Sequence, residues 1–199
     1  ICACLVGSEM CIRDSYYLYA SDVTFDMKNN EMKIHNNYSE PWKVTLVDTG
    51  LNTMTGGRIK RIREYIGNET FMLTYGDGVC DLDIRELVKF HQSHGKLATI
   101  TEIQPGGKFG ALKIDEENRI KSFVEKSKED GGWINGGYMV LEPNVIDLIE
   151  GDDTVFEKHP LETLAKENNL VAYKYDGFWQ CMDTLKDKMY LDKLIEMNE

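Results

Sequence analysis

An aspartate set between two glycines, in the run Thr74-Tyr75-Gly76-Asp77-Gly78, is the strongest candidate for chemistry in this 199-residue chain. It follows the apolar stretch Phe71-Met72-Leu73, so Asp77 stands at the end of an expected strand. There the backbone approaches a phosphate closely and a carboxylate holds a divalent cation. A tight turn with no further role is the plain alternative. A second aspartate, Asp183, comes just before Thr184 and the start of a C-terminal helical pattern. Alone it reads as a helix cap; paired with Asp77 it reads as a second metal ligand. Asp81-Leu82-Asp83 fits the D-x-D metal motif of glycosyltransferases, but Asp83 with Glu86 is also a capping box, and capping is the favoured reading.

These residues need elements to hold them. A helical pattern from Asp83 to His94 and an apolar strand from Leu97 to Ile103 follow Asp77, so the unit reads β-α-β with a parallel pair. In such sheets ligands bind beyond the carboxyl ends of the strands, where Asp77 falls. Upstream, Val23 to Lys28 and Met32 to His35 form an expected hairpin, and Val44 to Val47 a short strand. A polar loop from Asp48 to Gly57 leads into a basic helix with Arg58, Lys60, Arg61 and Arg63. Its N-terminus and cations suit an anion, although for Lys60, Arg61 and Arg63 a solvated face of paired charges is the favoured reading. Arg58, in the first turn, faces the loop.

Downstream, Phe109 to Asp115 and Ile120 to Phe123 predict a second hairpin, and Gly137 to Leu141 a strand. Pro143 and Pro160 each open a helix, Leu170 to Tyr175 is a late strand, and the helix from Thr184 to Glu196 spaces Leu185, Met189 and Leu194 to face a core.

Composition narrows the partners. Hydrophobic residues at 42% and charged residues at 29% are ordinary for a soluble globular protein. A net charge of -11 argues against nucleic acid or an anionic membrane surface as partner, while leaving room for phosphate ligands in a locally reversed cleft. No apolar run has the roughly 18 to 20 residues that span a bilayer. Residues 1–15 look like a non-native, adapter-derived segment, so residues 16–199 are expected to form a single domain. Setting that segment aside leaves Cys80 and Cys181, which suggest neither a disulfide framework nor a metal spacing and fit a cytoplasmic setting. The edge of the first hairpin offers a place for another subunit, as in a homo-oligomer.

The order of motifs carries a resemblance. Asp48-Thr49-Gly50, Thr55-Gly56-Gly57-Arg58, Tyr75-Gly76-Asp77-Gly78, Phe109-Gly110-Ala111, Phe123-Val124-Glu125-Lys126, Ile134-Asn135-Gly136-Gly137-Tyr138 and Phe178-Trp179-Gln180-Cys181-Met182-Asp183-Thr184 follow one another in one chain. The series resembles the sugar-phosphate nucleotidyltransferases over residues 20–199, most closely those that turn CTP and glucose 1-phosphate into CDP-glucose and pyrophosphate for bacterial surface polysaccharide.

The resemblance implies an α/β fold with a Rossmann-like, mostly parallel sheet, lacking that family's first βα unit and carrying small β-hairpins. It implies Mg²⁺ held by Asp77 and Asp183. It implies a sugar-phosphate reader in which Glu125 meets hexose hydroxyls and Lys126 the phosphate, with Asn135 at a hydroxyl and Gly110 letting backbone near the sugar. Thr53, Arg58 and Gly76 fall where the family contacts substrate. Where the family has proline after the lysine, this chain has Ser127. The family's glycine-rich triphosphate loop and its P-K-P segment are not found in the sequence, so the chain as written is expected to be inactive. The rival readings are a uridylyl- or thymidylyltransferase, a nucleotide-sugar glycosyltransferase, and a non-catalytic assembly subunit.

Overall fold

The computed structural model describes residues 17–39, 41–104, 111–114, 120–124 and 132–197. The chain falls into two compact units, Ile1–Gly50 and Leu51–Glu199.

In the first unit a short helical turn α1 (Tyr17–Tyr19) precedes strands β1 (Ser21–Asp26) and β2 (Glu31–Asn37), which pair antiparallel as the expected hairpin. The turn is built from Asp26, whose carboxylate accepts from the amides of Lys28 and Asn29, and from Asn30 in the left-handed region at φ 55°. Short polar side chains favour that conformation. No strand forms at Val44 to Val47: residues 41–50 run without regular structure. Alternation marks a strand only when a neighbouring edge is there to bond it.

The second unit opens with helices α2 (Thr55–Arg61) and α3 (Arg63–Ile66), strands β3 (Phe71–Thr74) and β4 (Gly78–Cys80), helix α4 (Ile84–His94) and strand β5 (Ala98–Ile103). Strands β6 (Ala111–Ile114) and β7 (Ile120–Val124) form the second hairpin. Then come β8 (Ile134–Leu141), a 3-10 turn (Pro143–Leu148), α5 (His159–Lys166), β9 (Leu170–Tyr175), β10 (Trp179–Cys181) and α6 (Leu185–Glu196).

The central sheet has the order β3-β8-β5-β9. Strands β3 and β5 are each antiparallel to β8, and β9 is parallel to β5, so β3, β5 and β9 share one direction. The sheet is therefore mostly parallel in direction, but the expected direct pairing of the Phe71 strand with the Leu97 strand does not form. The chain inserts β8 between them, and for a physical reason. Met139, Val140 and Leu141 are all fully buried, so β8 needs cover on both faces, which a central position supplies and an edge does not.

Alternation along β8 sends Met139 and Leu141 into a core with Ile59, Val145, Ile146, Phe156 and Leu164, while Val140 joins Leu87 of α4 on the opposite face. Helices thus cover both faces of the sheet. The last helix departs from expectation: α6 has no buried residue, with Leu185 73% and Met189 63% exposed. Among the described residues no helix is long and apolar enough to cross a membrane.

Candidate active site

Because β3, β5 and β9 run the same way, their carboxyl ends collect at one edge of the sheet, with the start of β8 among them. The turn at Gly76 and Asp77 follows β3 there. It is closed from across the edge by a two-stranded ribbon that periodicity did not reveal, in which β4 pairs antiparallel with β10 through Gly78 and Cys181, Val79 and Gln180, and Cys80 and Trp179. The main-chain carbonyl of Asp77 continues this ladder by accepting from the amide of Met182 at 2.8 Å. Two strand-end aspartates distant in sequence, Asp77 and Asp183, are thereby brought onto adjacent backbones.

The capping alternative for Asp183 fails. Helix α6 is capped by Thr184, whose hydroxyl accepts from the Asp187 amide while Asp187 accepts from the Thr184 amide at 2.9 Å. Asp183 is exposed at the ribbon end instead, and beside it Cys181 is affected. Burial, and then the Asp183 carboxylate, push the Cys181 thiol above its usual range. Asp83 caps α4 by accepting from the Arg85 amide at 2.8 Å, as expected, but Glu86 pairs with Lys89 rather than completing a box. Asp81 accepts from the Phe178 amide at 3.0 Å and from the Tyr175 hydroxyl, so the D-x-D pair is occupied in tying loops together.

Thr53 is buried just before α2, and Arg58 donates to the carbonyl of Leu51 at 3.2 Å, folding back on the loop it was expected to face. The remaining basic residues are paired structurally, as favoured. Arg61 makes two bonds to Asp152, Arg63 meets Asp147 at 2.7 Å, and Lys60 donates to the carbonyls of Ile149 and Glu150.

The loop that carries Thr53 docks on residues 152–156 through Met54 N to Asp152 O, Gly56 N to Thr154 O and Phe156 N to Thr55 Oγ1, each 2.9 Å. A side chain at Gly57 would meet the Asp152 backbone at 2.6 Å, which is why the first turn of α2 reads Gly56-Gly57.

Asn135 behaves differently from its expected role. Its side-chain oxygen accepts from the Gly137 amide at 2.9 Å, holding Gly137 at φ 82° where Tyr75 packs against it. Its Nδ2 lies 3.4 Å from the Tyr75 hydroxyl, so one N–H and one lone pair of the amide are left to offer a ligand. Sequence reasoning missed Glu157, which accepts from the hydroxyls of Tyr75 and Thr55 at 2.6 and 2.7 Å. Trp179 and Tyr138 stood in the motif series without a role; they donate to the Gly136 and Gly78 carbonyls and lock the ribbon to the sheet. Burial, with Cys80 as its next cause, pushes the Tyr138 phenol up to about 12, so it remains a donor. Tyr138 was visible only as the end of a glycine-rich motif; for Glu157 there was no signal.

A crevice beside the ribbon is lined by Gln104, Tyr175, Phe178, Trp179 and Tyr190. Among the described residues no three His, Cys, Asp or Glu side chains cluster to hold a metal. Mg²⁺ is a hard cation commonly held by one or two carboxylates plus substrate phosphates, and the exposed Asp77 and Asp183 are donors of that chemistry. Gly110, Glu125, Lys126 and residues 1–15 lie outside the described residues.

The family model described as nucleotidyl transferase matches residues 15–187. The chain is 55% identical over 183 residues to the glucose-1-phosphate cytidylyltransferase of Salmonella typhi, covering 92% of this chain and 71% of that protein. It is 41% identical over 175 residues to the probable glucose-1-phosphate cytidylyltransferase of Bacillus subtilis (strain 168), covering 87% and 68%. Among solved structures, HddC from Yersinia pseudotuberculosis shares the fold at a TM-score of 0.58 with 24% identity, covering 78% of this chain and 68% of that one.

Proposed function

Because this chain belongs to the nucleotidyl transferase family, we propose that it serves a site joining CTP and glucose 1-phosphate into CDP-glucose and pyrophosphate. The observation that supports this most is the bond from Met182 to the Asp77 carbonyl, which pairs the backbone of Asp77 with the residue before Asp183 at the edge where α/β sheets bind ligands. The choice of CTP and glucose 1-phosphate rests on the 55% identity to the S. typhi relative.

The reaction brings two anions together: a phosphate oxygen of the sugar phosphate attacks the α-phosphorus and pyrophosphate leaves. Asp77 and Asp183 would hold Mg²⁺, which when bound offsets the charge on the phosphates. Lys126 would meet the sugar phosphate and Glu125 the hexose hydroxyls. The backbone at Gly76 and the Thr53 to Arg58 loop would line the phosphate side, with the Asn135 amide group donating to a hydroxyl. Carboxylates repel phosphates unless a cation intervenes, so without one these two aspartates would oppose the reaction.

The test replaces the matching stretch of the S. typhi relative with this chain and measures pyrophosphate release from CTP, UTP and dTTP with glucose 1-phosphate. Turnover that prefers CTP is expected. A folded chimera that releases no pyrophosphate sinks the reading; preference for UTP or dTTP keeps the family and overturns the base.

A further inference from the structure

We propose that Glu157 is a positioning residue of this site, holding the Thr53 loop, the Asp77 turn and the Asn135 strand in one arrangement. The inference rests on the functional reading above, and its geometry is independent of it. Both carboxylate oxygens are engaged, Oε2 by the Thr55 hydroxyl at 2.7 Å and Oε1 by the Tyr75 hydroxyl at 2.6 Å. Glu157 therefore acts on substrate through other residues. Thr55 lies two residues after Thr53, and Tyr75 two residues before Asp77.

The directions of these bonds leave little freedom. An ionised carboxylate only accepts, so both hydroxyls donate to it. The Thr55 oxygen is then free to accept from the Phe156 amide at 2.9 Å, and the Tyr75 oxygen to accept from Asn135 Nδ2 at 3.4 Å. Two segments distant in sequence thus meet one anion through charge-assisted bonds, about twice as strong as neutral ones, and Asn135 joins them through the Tyr75 hydroxyl. Burial, followed by the Glu157 carboxylate, raises the Tyr75 phenol far above its ordinary value, so it stays a donor at any working pH. Glutamine at 157 would keep one acceptor and present an amide N–H₂ to the other hydroxyl.

The test uses residues 1–199 with Mn²⁺ alone as the probe, read by paramagnetic broadening of backbone amide signals well below the melting temperature. In the parent chain, broadening centred on Asp77 and Asp183 is expected. Glu157→Ala should weaken Mn²⁺ affinity roughly tenfold to a hundredfold, the usual effect of losing a residue that orients metal ligands. Glu157→Gln should fall between the two. A variant that melts earlier yet binds Mn²⁺ within about twofold of the parent overturns the proposal and makes Glu157 a scaffold residue only.

If the parent binds no Mn²⁺ at the two aspartates, the metal part of the functional reading fails, and the metal-free spectra decide this one. Signals of residues 53–57 and 75–78 must then move together in Glu157→Ala; movement confined to residues 155–159 overturns it. Should Glu157→Ala not fold, Tyr75→Phe removes one arm, and unchanged affinity with unchanged signals at residues 53–57 and 77–78 overturns the proposal equally.

Discussion

Met182 donates its backbone amide to the backbone carbonyl of Asp77 at 2.8 Å. That bond extends the ribbon of β4 and β10 to the residue before Asp183 and ties the backbones that carry the two aspartates. Their carboxylates are exposed and have no part in the apolar core. Asp77→Asn and Asp183→Asn, made in the chimera with the S. typhi relative, should each lower kcat on the order of a hundredfold to a thousandfold, with melting temperature close to the parent's. Retained turnover in either variant would remove that residue from the proposed chemistry.

Helix α6 is held at its start by Thr184 and Asp187, not by Asp183. Thr184→Ala should therefore cost about 1 kcal/mol in urea denaturation, whereas Asp183→Ala should leave stability nearly unchanged. Equal losses would return Asp183 to the role of a cap.

The Gly56-Gly57 pair is shaped by the close approach of residues 152–154, since a Cβ at Gly56 would meet the Thr154 carbonyl at 2.7 Å. Gly56→Ala and Gly57→Ala should each destabilise the fold by about 1 to 3 kcal/mol through overpacking. Gly151→Ala, with nothing within 4 Å of the added carbon, is the control expected to be neutral. Neutral substitutions at both sites would show that the start of α2 yields easily.

A chain of hydrogen bonds sets a pH dependence at the other end of the sheet. The Lys96 amide donates to His94 Nδ1 at 3.0 Å, so the neutral ring carries its proton on Nε2 and gives it to Thr99 Oγ1 at 2.8 Å. Thr99 then donates to His91 Nδ1, and His91 Nε2 to Glu142, which also accepts from Thr70. Burial, then the neighbouring His91 and Lys96, make His94 harder to protonate than its ordinary value of 6.5. The unfolded chain thus binds more protons as pH falls, so stability is present above 6.5, declines as pH drops through that value, and levels off below the lowered folded-state pKa. Urea midpoints at pH 7.5 and 5.5 should differ in the parent by more than in His94→Gln; equal differences would show that His94 is not the group responsible.

Some of this protein was legible from local spacing. The hairpin at Phe25 and Met32, the helix capped by Asp83, and the strand from Leu170 to Tyr175 depend on alternation, capping and turn chemistry within a few residues, and they form where expected. The pairing of Arg61 and Arg63 with acidic partners, and the order of glycine and aspartate motifs, were likewise on the page as residue types.

What only the tertiary structure decided is how distant segments share hydrogen bonds. Strands β4 and β10 have three residues each, too short for any period, and exist because they pair with one another. Strand β8 separates β3 from β5 because two-sided burial outweighs closeness in sequence. Glu157 gathers Thr55 and Tyr75 from far away in the chain, and Asp183 is released from capping because Thr184 takes the helix end. A backbone donor or a carboxylate in a sequence does not name its partner. Burial and chain path bring competing partners within reach, and the folded geometry settles which of them it meets.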